Sequence, residues 1–310
     1  NLDNRVLPAN AMELINSGAV QTDPMQLFSD WCGMVNRGSS LTPVGCSDSH
    51  DVSRYIVGQA RTYIRCGDTD VSAIDVETAI RAFVEGRVVV SYGMFLDLRA
   101  NDRIGPGESL ELSGNDLRVT AEVRAPDWVQ PKQIELYVNG RVYQSKQLRP
   151  DESVGDAANV YTVAWDFPRS KIKHDVWITA VVKGDGVRGP YWPTAKPYQP
   201  DSIDFTPYTF ACTGPIRIDA DGDDGFQSPY QYAKAIVDQH GNDLAILFED
   251  LKSFDPSVAV QVASILLQDV SNPGTVAEFA SRGSGPAAQA INDFLRSKRF
   301  SVIARLEGRE

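Results

Sequence analysis

The chain has 310 residues, 42% apolar and 23% charged, with a formal net charge of −11. That length asks for two or three domains rather than one core, and the composition is that of an ordinary globular protein. The acidic balance argues against nucleic acid or an anionic membrane as a main partner, since both demand a basic footprint. No apolar run approaches the ~18 residues of a membrane span.

The first residues, Asn1 to Arg5, show neither an initiator Met nor a signal-peptide pattern. They suggest a mature or truncated piece of something longer. Four cysteines, Cys32, Cys46, Cys66 and Cys212, form no Cys-x-x-Cys pair, which argues against a zinc-thiolate site. One disulfide and free or buried thiols both stay open.

Residues 1–100 read as alternating α/β. Ala11 to Ile15 is a short apolar run that stops at the turn signal Asn16-Ser17-Gly18. Met25, Phe28, Cys32 and Val35 recur at helical spacing, with Leu27 and Trp31 beside them. Asp23 is placed to cap that helix, with Pro24 at its first position. A strand over 41–46 follows, then Asp48-Ser49-His50. Residues 60–66 alternate with period two. Asp75 to Phe83 reads as a helix with Val76, Ala79, Ile80 and Phe83 on one face and Gly86 as its stop. Val88 to Val90 reads as a buried strand.

The character changes at about residue 101. Period-two strands are expected over 117–124, 134–138, 160–165 and 176–182. Asn139-Gly140 is a strong two-residue hairpin signal. This spacing, without helices, predicts a β-sandwich of roughly immunoglobulin size over 101–209. Segment 210–310 opens with Ile216-Arg217-Ile218 and an acidic loop. Helical patterns follow over 230–240, 258–267, 275–280 and 287–296. Ser253 or Asp255 is placed to cap the second of them, with Pro256 just inside.

Asp48-Ser49-His50 carries the clearest chemistry. On a strand end, alternate residues share a face, so a carboxylate and an imidazole would point the same way. That oxygen and nitrogen pair suits a hard or borderline divalent cation. The bland alternative is a polar turn in which Asp48 caps a helix. Arg61 and Arg54 are near in sequence and either could bind an anionic substrate oxygen, although a solvated arginine is the commoner role. Glu13 could face the same site or be a turn acid.

Asp219, Asp221 and Asp223 occupy positions 1, 3 and 5 of a loop, as at the start of a calcium loop. Asp224 at position 6 and Tyr230 at position 12 depart from that pattern, and an acidic turn is the alternative. Trp128, Trp165, Trp177 and Trp192 invite a carbohydrate-binding reading, but Trp165 and Trp177 lie in alternating strands, where core packing is usual.

The run Leu41 to His50 (Leu-Thr-Pro-Val-Gly-Cys-Ser-Asp-Ser-His), followed by Gly58 to Ile64 (Gly-Gln-Ala-Arg-Thr-Tyr-Ile), resembles the last metal-binding motif of the PHP (polymerase and histidinol phosphatase) domain. More narrowly, it is similar to the CehA/McbA-type group of PHP metallohydrolases. Met12 to Gly18, Asp30 to Gly38 and Phe83 to Ser91 resemble the segments around that motif. Ala125 to Val129, Leu136 to Gly140 and Asp175 to Ile178 resemble the appended β-domain of the group. Ile218 to Gly222 resembles its later acidic segment.

The resemblance implies a distorted β/α barrel with two or three metals (Zn, Mn or Fe) at the strand C-termini. They would activate water against an ester or phosphoester, with Asp48 and His50 as ligands. Tyr92-Gly93-Met94 stands where the group commonly has Asn-Gly-Pro, and Cys32 and Cys46 replace more usual residues. The larger departure is the absence of a His-x-His motif, since only His50, His174 and His240 are present. One Asp and one His cannot close a multinuclear site, because each metal takes roughly four to six ligands.

The expectation is therefore the C-terminal part of a PHP-type barrel (1–100), an immunoglobulin-like β-sandwich (101–209), and an acidic loop with a helical tail (210–310). It would be inactive alone and completed by an N-terminal half or another chain. The alternative is a non-catalytic binding or assembly subunit built on the β-sandwich, with calcium as stabiliser. The acidic charge and the β-domain lean towards a periplasmic or secreted location.

Overall fold

A computed structural model describes residues 9–18, 23–50, 57–67, 69–153, 159–189, 192–195, 206–223, 225–240, 243–269, 277–278, 281 and 285–307. The chain divides into two compact units. The first is Asn1–Val35, Ser39–Ile172 and Val176–Phe226. The second is Gln227–Glu310 with two short pieces, Asn36–Gly38 and Lys173–Asp175.

The first unit opens with a parallel crossover, β1 (Ala11–Asn16), α1 (Pro24–Asn36) and β2 (Thr42–Cys46). Parallel neighbours need such a crossover, and a helix is its usual form. Asp23 caps α1 as its sequence suggests, accepting from the Met25 N–H at 2.9 Å. The predicted apolar stripe of α1 is buried at Phe28, Cys32 and Val35, and Trp31 lies at its centre with no exposed surface. Its indole N–H donates to the Leu41 carbonyl at 2.8 Å.

Helix α2 (Val76–Val84) forms where the pattern places it, capped by Asp75 on the Thr78 N–H. Its apolar face behaves otherwise: Val76 is 64% exposed and Ile80 52%. Periodicity selects a helix but does not say whether the tertiary structure covers the stripe.

The largest sheet has eight strands. β3 (Ala60–Ile64) pairs β4 (Val88–Tyr92), which pairs β12 (Thr209–Thr213). At its centre β11 (Val176–Gly184) takes β8 (Pro131–Val138) along one edge. Its other edge is shared by β12 and β13 (Ile216–Asp219). β6 (Ser109–Glu111) continues from β13, and β9 (Arg141–Gln147) from β8. The β8–β9 turn is Asn139-Gly140, both at positive φ (46° and 74°), as a primed two-residue hairpin requires. One sheet thus draws strands from all three segments distinguished by sequence.

A second, three-stranded sheet runs β10 (Val160–Phe167), β7 (Leu117–Arg124), β5 (Phe95–Ala100). Its side chains Leu96, Leu98, Val119, Val123, Val163 and Trp165 share a core with Ile134, Leu136, Ile178 and Val182 of the large sheet. The opposite face of β11 sends Trp177 and Val181 into the core under α1. Buried on both faces, β11 is apolar from Val176 to Val182 except at Thr179, whose hydroxyl donates to the Thr213 carbonyl at 2.7 Å. Each large side chain so buried contributes roughly 1.5–3 kcal/mol. Trp165 and Trp177 are thus packing residues. Among the described residues the architecture is mixed α/β with several sheets, and no closed barrel is formed.

The second unit is helical: α3 (Pro229–His240), α4 (Leu244–Leu251), α5 (Pro256–Asp269) and α6 (Pro286–Glu307). Ala233, Ile236, Leu247, Val258, Val262, Leu266 and Ile291 form its core. Asp255, rather than Ser253, caps α5, accepting from Ser257 at 2.7 Å and Val258 at 3.2 Å. Helix α4 carries no periodicity that the sequence reading singled out. The pattern over 275–280 lies largely outside the described residues. His174 is buried against Tyr232 and Phe254, and its Nε2 accepts from the Asp255 N–H at 3.1 Å.

Candidate functional site

Asp48 and His50 come together, though not by strand alternation. β2 ends at Cys46, so both lie in the loop beyond it. Asp48 takes a left-handed backbone, φ +46°, a conformation Asp tolerates better than most residues. That turn lets His50 Nε2 meet Asp48 Oδ1 at 2.8 Å. The strand argument therefore gives way to a turn, while the juxtaposition it anticipated stands.

The loop is fixed from several sides. Ser47 Oγ accepts from the Gly58 N–H at 2.9 Å, and Ser49 Oγ donates to Ser47 Oγ at 3.1 Å. Ser17 N–H donates to the Cys46 carbonyl at 2.9 Å, and its Oγ accepts from the Ala60 N–H at 3.1 Å. A Cβ on Gly18 would stand 2.4 Å from the Ser47 carbonyl oxygen and 2.9 Å from that of Asp48, so only glycine lets the β1 exit pass so close.

The end of β1 supplies the rest of the corner. Asn16 Nδ2 donates to Asp48 Oδ2 at 3.1 Å and to Glu13 Oε2 at 3.4 Å. The Cys46 thiol donates to Glu13 Oε1. Glu13 and Asn16 of β1, Cys46 of β2, and Asp48 and His50 of the loop after it thus form one connected polar corner at the C-terminal side of two parallel strands. Asn16 is the member that sequence reading passed over, because Asn-Ser-Gly is also a turn signal. Glu13 stayed ambiguous for lack of a partner, and the parallel register of β1 on β2 supplies one, pairing Asn16 with Cys46.

Electrostatics separate the two titratable groups of this loop. The Asn16 amide, and after it the His50 ring, hold the Asp48 carboxyl below the usual aspartate range. Burial first, then the Glu13 carboxylate, pushes the Cys46 thiol up to about 12. With no metal bound, Cys46 is therefore a neutral hydrogen-bond donor at physiological pH.

The donor set of Glu13, Asp48 and His50, two carboxylates and an imidazole, has the chemistry of hard to borderline divalent cations. His50 is 81% exposed and Asp48 39%, so both are reachable. Among the described residues no third histidine, cysteine or carboxylate joins Asp48 and His50 in a group whose ligating atoms all lie within 4.8 Å of one another.

The other sequence-predicted residues fall elsewhere. Arg54 lies outside the described residues. On β3, Thr62 faces β2, where its Oγ1 accepts from the Gly45 N–H and donates to the Gly45 carbonyl, both at 2.9 Å. Arg61 and Tyr63 flank it and by alternation face the other way. Arg61 lines a cleft of about 410 Å³ with Trp128 and Trp192. Asp219 turns its Oδ1 back onto the Gly222 N–H at 3.0 Å. Asp221 and Asp223 bring carboxylate oxygens within 4.8 Å of each other and are both exposed. All four cysteines are free thiols.

Searches for a matching family model, for similar curated proteins and for similar solved structures find no match to this chain.

Proposed function

We propose that this chain is part of a PHP-type metal-dependent hydrolase acting on an ester or phosphoester, and that the Asp48 corner is one wall of its site. The observation that carries the reading is the direct pairing of Asp48 with His50 beyond the ends of two parallel strands, with Glu13 tied in through Asn16. A parallel β1–α1–β2 crossover with donors past its strand ends is also what the last strands of a β/α barrel would provide. The immunoglobulin-like sandwich belongs to the same proposal, supported by the shared core of the two sheets.

In this reading Asp48 and His50 are ligands and Glu13 is the next donor in reach. Asn16 keeps Asp48 ionised and oriented. The Cys46 thiol holds one Glu13 oxygen and leaves the other for Asn16. A bound divalent cation would supply Lewis acidity and a water ionisable near neutral pH. The remaining ligands, a His-x-His among them, would come from another segment or chain, since His174 is spent in the helical core.

Titration with Co²⁺ tests the wall alone. The chain should develop ligand-field absorption bands that Asp48→Ala and His50→Ala each weaken and that the double variant abolishes. Bands that persist unchanged in the double variant would remove this assignment.

A further inference from the structure

Two neighbouring clefts border the face of β3 that carries Arg61 and Tyr63, and they share three lining residues. The first, about 410 Å³, is lined by Arg61, Tyr63, Phe95, Arg124, Trp128 and Trp192. The second, about 430 Å³, shares Tyr63, Phe95 and Arg124 and adds Arg65, Arg87 and Arg99. Each volume falls within the range of small-molecule sites. Together they hold five arginines against two carboxylates, Asp97 and Glu122, within a chain whose net charge is −11.

The arginines divide into two kinds. Arg87, Arg99 and Arg124 are held by Glu108 and Glu85, by Asp97, and by Glu122. Among the described residues the Arg61 and Arg65 side chains make no hydrogen bond or ion pair. Arg61 lies on β3 and Arg65 one residue past its end, about 13 Å apart at the rise of an extended chain, with Tyr63 between them. Arg65 has the Asp97 carboxylate within electrostatic reach, which leaves the Arg61 guanidinium facing a cleft with no carboxylate in its lining, a placement that suits an anionic ligand.

The walls specify the rest of the ligand. Tyr63 and Phe95 meet edge to face with ring centroids 5.2 Å apart. Trp128 is 64% exposed, which for an indole bordering a cleft marks a surface a ligand can cover. Trp192 is held against Tyr92 at 5.4 Å and reaches the cleft because Gly93 has no side chain. A Cβ there would stand 3.0 Å from the indole ring. We propose that the Trp128 cleft binds a planar aromatic anion, its ring against the Trp128, Trp192 and Tyr63 walls and its oxyanion on Arg61. The ligand is an aryl carboxylate or an aryl phosphate, and the site is independent of any chemistry at Asp48.

Calorimetric titration of the full chain in EDTA, which silences any metal at Asp48, tests this with four probes: phenyl phosphate, benzoate, inorganic phosphate and phenol. The ring-bearing anions should bind saturably, and whichever of the two binds tighter identifies the oxyanion. Phosphate and phenol should each bind at least tenfold more weakly. Arg61→Gln should weaken the better probe by more than tenfold and Trp128→Ala by several-fold, while Asp48→Ala leaves it unchanged. The proposal is overturned if neither aromatic anion binds, if inorganic phosphate binds as tightly as phenyl phosphate, if Arg61→Gln binds like the parent, or if Asp48→Ala abolishes binding. Circular dichroism of each variant confirms that a loss is not unfolding.

Discussion

The two faces of strand β3 carry opposite chemistry. On one, Thr62 clasps Gly45 of β2 and so supports the corner where Glu13, Asp48 and His50 gather. On the other, Arg61, Tyr63 and Arg65 open onto an aromatic, cation-rich cleft. Adjacent residues Arg61 and Thr62 face opposite ways because side chains alternate along a strand with period two. The lesson is that proximity in sequence misassigns partners here. Arg61 lies near Asp48 along the chain, yet its side chain serves the other face.

The largest break in this contrast should come from the α1 side. Trp31 is fully buried, packs on Trp177 with centroids 5.6 Å apart, and bonds to Leu41 at the start of β2. Trp31→Ala should cost about 3–5 kcal/mol, measured by urea unfolding. A loss below about 1 kcal/mol would mean that α1 does not anchor the β1–β2 pair.

Thr62→Val is subtler and more diagnostic. It keeps the shape of the side chain but leaves the buried Gly45 N–H and carbonyl without their partner, at a cost of about 1–3 kcal/mol. The Co²⁺ bands expected at Asp48 should weaken, while aromatic anions bind the Arg61 face as before. If both responses fall together, the two faces are not separable.

Asn16→Ala should move only a titration. Asp48 is held below its unfolded-state pKa, chiefly by the Asn16 amide. Its contribution to stability is therefore complete above the unfolded value and lost as pH falls through the folded one. Without Asn16 the Asp48 midpoint should rise towards that of an ordinary aspartate, followed by carboxyl carbon NMR. An unmoved midpoint would show that the Asn16 bond does not hold the charge.

Much of the local structure was legible from residue patterns alone. The caps at Asp23 and Asp255, the α1 stripe, the Asn139-Gly140 hairpin and the alternating strands depend on interactions within a few residues. Short-range physics is written in short-range sequence. The same patterns could not say that the α2 stripe would stay exposed, since burial depends on what lies opposite.

For the candidate site, the sequence determined that Asp48 and His50 are neighbours and which donor types they bring. Only the tertiary structure decided how they meet. A left-handed turn at Asp48 replaces strand alternation, the parallel register of β1 on β2 delivers Asn16 and Glu13 from more than thirty residues away, and the β3 pleat sends Arg61 to the opposite face. Each of those outcomes is a long-range pairing, whose energy comes from groups distant in the chain. No window of sequence contains both partners.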